Sequence, residues 1–343
     1  MALYNLLIII PIFLSIFVLS KKLKILRDDT SYSDHKMIGI ENKSPVVLGG
    51  IYILIVFLIF SEDASIFLKL STISITLLGL MSDRNILPSP RIRLILQISI
   101  LLALSFYEGL EINDLRFDYF NFFLTNNLFN LFFVIFCLAI LINGSNFLDG
   151  LNGLVSGYYL IVLLSLILLW NLSSNTIEME LNFITLIFFS LLIFFVFNIF
   201  GQVYLGDSGT YLISLLIGVY LIKFNLSNYF ISPYYIALLL WYPAFENFFS
   251  ITRRILKKNN VSLADNSHLH HLFFLFLKSK NLFPKNLSNS FCTIFLLMLN
   301  TPSMIAASFY ASKSNVLLAI ISLNIFLYLL AYYFFFKYFV NKK

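Results

Sequence analysis

The chain has 343 residues, of which 59% are hydrophobic and 12% are charged, and its formal net charge is +6. Soluble proteins contain roughly 25% charged residues, so this composition excludes an ordinary soluble domain. The positive charge is better explained by loops that touch anionic membrane lipids than by nucleic acid, which is not expected as a partner. Cys137 and Cys292 lie in apolar runs, without the paired spacing of a metal or redox motif.

Apolar runs recur along the whole chain. A helix needs about 20 apolar residues to cross a bilayer, and fewer if its ends lie in the interface. We therefore predict an all-α, polytopic integral membrane protein that forms a single domain over residues 1–343. The predicted spans number about eleven and cover residues 3–20, 46–61, 65–81, 92–107, 128–142, 154–170, 181–198, 209–223, 230–250, 291–311 and 315–336.

The basic residues indicate the orientation of these spans. Nineteen of the 23 Lys and Arg residues fall in the alternate loops that are cytoplasmic if the N-terminus is outside. Cytoplasmic loops carry an excess of Lys and Arg, so we predict an outside N-terminus and a cytoplasmic C-terminus in the cell (inner) membrane. The first span lacks a basic segment before it and is followed by Lys21 and Lys22, which favours a retained anchor over a signal peptide.

Three short polar clusters interrupt the apolar sequence, at residues 143–153, 205–209 and 268–271. Asp and Asn are costly near hydrocarbon and are usually kept there for function. In the predicted topology these clusters lie on the cytoplasmic face with the segment around Asp83 and Arg93. The loops predicted to form this active-site face cover residues 21–45, 82–92, 143–153, 199–208 and 251–290.

The carboxylates and amides of these clusters suit a hard cation or a phosphorylated ligand. Asn143, Asn146 and Asp149 share one broad side if their segment is helical. Helix capping explains one such residue but not three. Asp207 precedes an apolar run, so it is either an N-cap or a cation ligand. Mg²⁺ takes one or two carboxylates together with substrate phosphate oxygens, which suits the sparse set of Asp83, Asp149 and Asp207.

Three of the four histidines, His268, His270 and His271, lie in a strongly basic segment. Imidazoles are common zinc ligands, but no acidic or thiol partner stands at a recognised spacing. Histidine and basic side chains also suit an anionic substrate such as a diphosphate. We expect phosphate or sugar recognition here, with zinc binding and an interfacial structural role as the alternatives.

In this order, the segments resemble the polyprenyl-phosphate N-acetylhexosamine-1-phosphate transferases, a membrane family that also includes the phospho-MurNAc-pentapeptide transferase. The resemblance extends from about Lys36 to Phe276. The matched segments are Gly79–Asp83 with Arg91–Gln97, Asn143–Leu154, Asn198 with Leu205–Gly209, and Trp241–Glu246 through Arg253 and Arg254 to Asp265–His271.

The resemblance implies transfer of a HexNAc-1-phosphate, similar to that of GlcNAc, from a UDP-sugar to polyprenyl (undecaprenyl) phosphate, with release of UMP. It implies Mg²⁺ as the cofactor, with Mn²⁺ as a substitute. Asp83, Asp149 and Asp207 are expected to be catalytic, with Asp149 and Asp207 at the metal. The residues expected to bind substrate are Asn143, Asn146, Asn198, Arg91, Arg93, His268, His270 and His271.

The chain departs from the usual family pattern at three places. Ser82 stands where the family usually has the first of two adjacent acids, and Asn152 replaces the inner Asp of an Asp-Gly-x-Asp-Gly pattern. The spacing from Asn198 to Asp207 is one residue tighter and lacks the usual proline. A mechanism that needs both adjacent acids would lack one of them here.

The His-Leu-His-His segment and residues 242–254 are more similar to the enzymes that initiate polysaccharides such as O-antigen than to the peptidoglycan enzyme. A phospho-MurNAc-pentapeptide transferase remains the alternative within the family. A transporter is the alternative from another class, although transporters place ionisable groups near the midplane at discontinuous helices and these spans are nearly free of charge. The oligomeric state is open, and a homodimer is one arrangement that the sequence allows.

Overall fold

The computed structural model describes residues 2–23, 46–173, 176–256, 267–280, 284 and 287–340. Most of the predicted loop 21–45 therefore lies outside the described residues. Within the described part, the chain forms fourteen helices and two very short strands. The prediction of an all-α protein is confirmed.

The helices are α1 (Ala2–Leu23), α2 (Gly49–Phe60), α3 (Ile66–Asp83), α4 (Pro90–Glu108), α5 (Asp118–Leu124), α6 (Asn127–Leu148), α7 (Leu154–Leu172), α8 (Leu181–Ile199), α9 (Gly206–Ser227), α10 (Pro233–Leu239), α11 (Trp241–Leu256), α12 (Leu269–Lys280), α13 (Ser288–Phe309) and α14 (Ser314–Val340). The strands are β1 (Val46–Val47) and β2 (Val203–Tyr204).

Eight of the described helices are long and apolar enough to cross a membrane, namely α3, α4, α6, α7, α8, α9, α13 and α14. The chain is thus a multi-pass membrane protein. The apolar helix α2 is shorter, with 12 residues. The count of eleven spans and the orientation of the termini stay predictions.

The predicted span 230–250 is two helices instead of one, because the chain breaks at Leu240 between α10 and α11. Pro243 has no amide N–H, so it cannot donate to the carbonyl of Leu239 as a continuous helix would require. The hydroxyl of Tyr158 donates to that carbonyl instead, at 2.8 Å. The break is therefore stabilised by a neighbouring helix.

Helix α9 lies at the centre of the protein. Nearly all of its residues are buried, and it packs against α2, α3 and α6. The approach of α3 is especially close, because a Cβ atom added at Gly79 would clash with the backbone of Ser208. Small residues allow helix backbones to approach in this way. Helices α4 and α14, in contrast, expose long rows of apolar side chains, as expected of helices that face lipid.

A two-stranded parallel sheet joins the segment before α2 to the segment before α9. Val46 pairs with Val203 and Val47 with Tyr204, and the amide of Leu48 donates to the carbonyl of Tyr204 at 3.1 Å. Two residues are too few for a periodic sequence signal, so the sequence did not predict these strands. The sheet places the first turn of α2 against the first turn of α9.

Several predicted loops are shorter in the structure. The loop predicted at 82–92 lies between Asp83 and Pro90, and α6 continues through Leu148 into the loop predicted at 143–153. Helix α9 already begins at Gly206, and α11 and α12 occupy parts of residues 251–290. We predicted loops at these positions because the residues are polar. In the structure, packing against neighbouring helices allows the same residues to form the ends of helices.

Candidate active site

Four helix ends meet at Asp207, which is the second residue of α9 and is buried. The Oδ1 atom of Asp207 accepts a hydrogen bond from the side-chain amide of Asn146 at 2.8 Å. The Oδ2 atom forms an ion pair with Arg93 at 2.9 Å and accepts a hydrogen bond from Ser82. These partners come from the end of α6, the start of α4 and the end of α3. They compensate a carboxylate charge that would otherwise be costly to bury.

Ser82, the residue in place of the usual acid, belongs to this group. Its hydroxyl accepts a hydrogen bond from Arg93 and donates one to Asp207. A second carboxylate at this position would lie beside that of Asp207, where like charges repel. The serine thus lets Arg93 and Asp207 share one hydroxyl group.

Asp83 caps the N-terminus of α9. Its Oδ1 atom accepts from the backbone N–H of Asp207 at 2.7 Å, and its Oδ2 atom accepts from the N–H of Ser208 at 3.1 Å. The first N–H groups of a helix lack partners within the helix and carry partial positive charge, so a carboxylate is favourable there. Gly206 has φ +71°, and a Cβ atom added to it would lie 2.7 Å from Oδ2 of Asp83. Glycine at position 206 therefore permits both the positive φ angle and the close approach of Asp83.

Asp149 follows the last residue of α6 and borders a cavity. The cavity has a volume of about 20 Å³ and is lined by Asp149, Gly150, Leu151, Asn152, Asn198, Tyr204 and Gly206. This volume is sufficient for about one water molecule. The cavity is thus lined by Asp149 and by Gly206, the residue before Asp207.

Asn198 lines this cavity, but its side chain bonds to the protein. Its amide nitrogen donates to the carbonyl of Val203 at 2.8 Å, and its Oδ1 atom accepts from Ser156 at 3.0 Å. These bonds hold the turn between α8 and β2.

Asn143 and Arg91, both predicted to bind substrate, also do not join the Asp207 cluster. The amide nitrogen of Asn143 donates to Gln97 at 2.9 Å and to the carbonyl of Ala139 at 2.8 Å, which links α6 to α4. Arg91 is exposed and makes no hydrogen bond or ion pair with another described residue. Arg93, two residues later in the sequence, is the arginine that reaches Asp207.

The three histidines pack against the loop after α6. The ring centroids of His270 and His271 are 4.2 Å apart, and each lies 5.5 Å from that of His268. A Cβ atom added at Gly150 would lie 2.7 Å from Nε2 of His270 and would also clash with His271. The absence of a side chain at Gly150 thus brings the histidines beside Asp149.

Burial lowers the pKa of His270 well below its usual range, and the nearby His271 and His268 act in the same direction. At pH 7 this ring is therefore neutral, with one nitrogen as a donor and the other as an acceptor. Neither ring nitrogen has a hydrogen-bond partner among the described residues. His270 is fully buried and neutral, so it does not supply a positive charge.

The donor set fits a hard cation better than zinc. Among the described residues, no group of three or more His, Cys, Asp or Glu side chains is arranged to hold a metal ion. Zinc sites use at least three such ligands, whereas Mg²⁺ takes one or two carboxylates and completes its shell with water and phosphate oxygens. Asp207 and Asp149 supply carboxylate oxygens, the ligand type that such a cation would take.

Three further residues near the site, Gln97, Tyr211 and Glu246, are not among the predicted site residues. Gln97 bonds to Asn143, and the hydroxyl of Tyr211 lies 3.4 Å from Oδ2 of Asp207. Glu246 bonds to His268 at 2.8 Å. The sequence could have indicated Glu246 as a site residue. Asp207 and Glu246 are the two acids between Glu180 and Asp265, and lone acids in apolar segments are usually functional.

The fold and this cluster define a polytopic membrane protein whose polar site is built at the ends of its helices. A family model described as glycosyl transferase family 4 matches residues 65–225. The chain is similar to the undecaprenyl-phosphate alpha-N-acetylglucosaminyl 1-phosphate transferase of Thermotoga maritima, with 31% identity over 227 residues, 66% of this chain and 67% of that protein.

It is also similar to a Bacillus subtilis protein named probable undecaprenyl-phosphate N-acetylglucosaminyl 1-phosphate transferase. The identity is 25% over 228 residues, which cover 64% of this chain and 60% of that protein. The chain belongs to glycosyl transferase family 4 and is a phosphotransferase. The family predicted from the sequence is confirmed.

Proposed function

We propose that the protein transfers a HexNAc-1-phosphate, similar to that of GlcNAc, from a UDP-sugar to polyprenyl (undecaprenyl) phosphate. A phosphate oxygen of the lipid forms a bond to the β-phosphorus of the donor. The bond from this phosphorus to the bridging oxygen breaks, so the products are polyprenyl diphosphate-HexNAc and UMP. The UDP-sugar donor and the polyprenyl phosphate acceptor are the proposed substrates.

The observation that carries this proposal is the convergence of Ser82, Arg93, Asn146 and Asp207, from four helices, beside the cavity of Asp149. The names of both relatives, which contain undecaprenyl phosphate and N-acetylglucosaminyl 1-phosphate, support the acceptor and the sugar. They favour this reaction over the phospho-MurNAc-pentapeptide and transporter alternatives.

The acceptor does not need a strong base. A phosphate monoester has a second pKa near 6 and is mostly dianionic at pH 7. Both carboxylate oxygens of Asp83 accept backbone N–H groups at the start of α9, so hydrogen bonding directs this side chain toward the helix N-terminus. This geometry supports Asp83 as the residue that positions Asp207 and disfavours it as the base.

Asp207 and Asp149 would hold Mg²⁺, or Mn²⁺ in its place. The cation would neutralise charge on the diphosphate and stabilise the leaving UMP. Arg93 is positioned to balance the charge of Asp207 and, with part of its side chain exposed, to attract an incoming phosphate. Asn146 orients the other oxygen of Asp207.

His268, His270 and His271 would bind the nucleotide-sugar. Two of them lie in the first turn of α12, where the helix N-terminus also favours an anion. We place the site on the cytoplasmic face of the inner membrane, where a soluble nucleotide and a membrane-bound lipid can meet. Initiation of a cell-surface polysaccharide such as O-antigen is the role that the sequence pattern favours.

The direct test uses the purified full-length protein with undecaprenyl phosphate, Mg²⁺ and a panel of UDP-HexNAc donors. Release of UMP and formation of the lipid-linked sugar are measured together. We expect turnover with UDP-GlcNAc or a close epimer. Failure of every UDP-HexNAc, combined with turnover of UDP-MurNAc-pentapeptide, would support the peptidoglycan alternative instead.

The metal role has its own test. We expect EDTA to abolish turnover, Mg²⁺ or Mn²⁺ to restore it, and Asp207→Asn to lower kcat by ~10² or more, since it removes a charged metal ligand. A thermal melt of the variant controls for folding, because Arg93 loses its ion pair. Full turnover in EDTA would contradict the role of the cation.

A further inference from the structure

We infer that Glu246 is a positioning residue that holds the ring of His268 in one orientation and one tautomer toward the donor substrate. The inference rests on the proposed function, in which the histidines bind the nucleotide-sugar. Nothing in the sequence pattern assigned a role to Glu246.

Glu246, His268 and Tyr328 form a buried chain of hydrogen-bonded side chains. Glu246 lies in α11 and is 0% exposed. Its Oε1 atom is 2.8 Å from Nδ1 of His268, and its Oε2 atom accepts from the hydroxyl of Tyr328 in α14 at 2.7 Å. Each carboxylate oxygen therefore has its own partner, so the carboxylate cannot rotate without breaking a bond.

We assign the shared hydrogen to Nδ1 of His268, because a carboxylate oxygen acts as an acceptor in such a pair. The other nitrogen, Nε2, is then the acceptor in a neutral ring or a second donor in a protonated one. A carboxylate behind a histidine commonly selects the tautomer and the ring orientation in this way. A buried carboxylate without this partner would also be costly, which favours the pair.

The backbone beside His268 is held by the same two helices. Arg253 of α11 donates to the carbonyl of Ser267 at 2.7 Å and to the hydroxyl of Tyr332 at 3.1 Å. The ring of Tyr328 packs edge-on against Phe245, with centroids 5.0 Å apart. Helices α11 and α14 thus support both the backbone and the ring at this position.

The oriented ring connects to the site through its neighbours. The rings of His268 and His270 are nearly parallel, with an interplanar angle of 13° and centroids 5.5 Å apart. His270 in turn contacts the position of Gly150, next to Asp149. A change in the ring of His268 would therefore alter the surface that the histidines present to the donor.

The test is a double-mutant cycle in the full-length protein, with KM measured separately for the UDP-HexNAc and for undecaprenyl phosphate. Glu246→Met removes the acceptor at similar length, and we expect about a tenfold rise in donor KM, as for loss of one charge-assisted hydrogen bond. Glu246→Gln keeps a neutral acceptor, so it should rescue partly and raise donor KM only about threefold. The lipid KM should not change.

His268→Ala is the second arm of the cycle. If Glu246 acts through His268, then neither Glu246 substitution should raise donor KM further in the His268→Ala background. Tyr328→Phe is the matched control, because it removes the bond to Oε2 but leaves the partner of His268 in place. We expect this control to lower the melting temperature with little effect on donor KM.

The outcomes separate the two proposals. An inactive wild-type protein would contradict the proposed function, and an unchanged donor KM in an active His268→Ala variant would contradict the role of the histidines. With His268→Ala impaired, the inference about Glu246 is overturned if donor KM is unchanged in every folded Glu246 variant. It is also overturned if the effects of the two residues simply add. If Glu246→Met does not fold, the Gln variant completes the cycle.

Discussion

At the scale of single residues, Asp83 has two hydrogen bonds to the backbone of α9 where a free catalytic base would need an available oxygen. Asn has only one acceptor oxygen, so Asp83→Asn loses at least one of these bonds. We expect turnover to fall while the shape of the pH–rate profile stays that of the wild type. If the pH–rate profile instead loses one limb and turnover falls by the ~10²- to 10⁴-fold typical of a missing general base, then Asp83 acts as the base.

Ser82→Asp is the companion variant, because it restores the adjacent acids of the family pattern. The new carboxylate would lie beside that of Asp207 and would compete for Arg93. We expect lower thermal stability and no gain in turnover. A more active Ser82→Asp protein would indicate that the second acid contributes to the chemistry.

His270 should make the stability of the protein depend on pH. Its pKa is lowered in the folded state, so below about pH 6.5 the unfolded chain binds the proton more readily. The contribution of His270 to the free energy of unfolding is therefore fully present at neutral pH. It is lost as the pH falls, at no more than about 1.4 kcal/mol per pH unit. His270→Gln should flatten the decrease in melting temperature between pH 7.5 and 5. An equally steep decrease in the variant would show that other groups cause it.

At the scale of helices, the contact of α3 with α9 places Asp83 and Asp207 together. Gly79→Ala would put a methyl group against the backbone of Ser208, which cannot move away as a side chain can. We expect a loss of about 1–3 kcal/mol in stability, as for other overpacked sites, together with reduced turnover. Thermal unfolding and UMP release measure the two effects.

Gly218→Ala is the matched control within α9. The added Cβ atom would meet the side-chain ends of Leu138 and Leu141, at 2.6 and 3.1 Å, and these can shift. This variant should keep most of its stability and turnover. Equal damage from both substitutions would argue against a special requirement at Gly79.

At the scale of the whole molecule, the orientation in the membrane follows from the basic loops alone and stays a prediction, as does a homodimer. In a background without Cys137 and Cys292, we expect an impermeant maleimide to label Asp63→Cys in intact cells. Ile86→Cys, in the exposed loop between α3 and α4, should react only after permeabilisation. The reverse pattern would place the Asp207 cluster on the outer face.

The sequence by itself determined the membrane class, the family and most of the residues that meet in the site. Apolar runs are local in sequence, and Asp207, Asn146 and Arg93 stand out because polar side chains are costly in such a setting. The sequence could not tell Arg93, which pairs with Asp207, from Arg91, which is exposed two residues earlier. Which of the two arginines reaches Asp207 depends on which side of α4 packs against the neighbouring helices.

The tertiary structure decided what each polar group bonds to. The break at Leu240 is stabilised by Tyr158, and the capping role of Asp83 depends on the close contact of α3 with α9. The pair of Glu246 with Tyr328 joins residues 82 positions apart. Contacts of this kind are set by the packing of whole helices, whereas hydropathy and motif spacing report only on residues that are near one another in the chain.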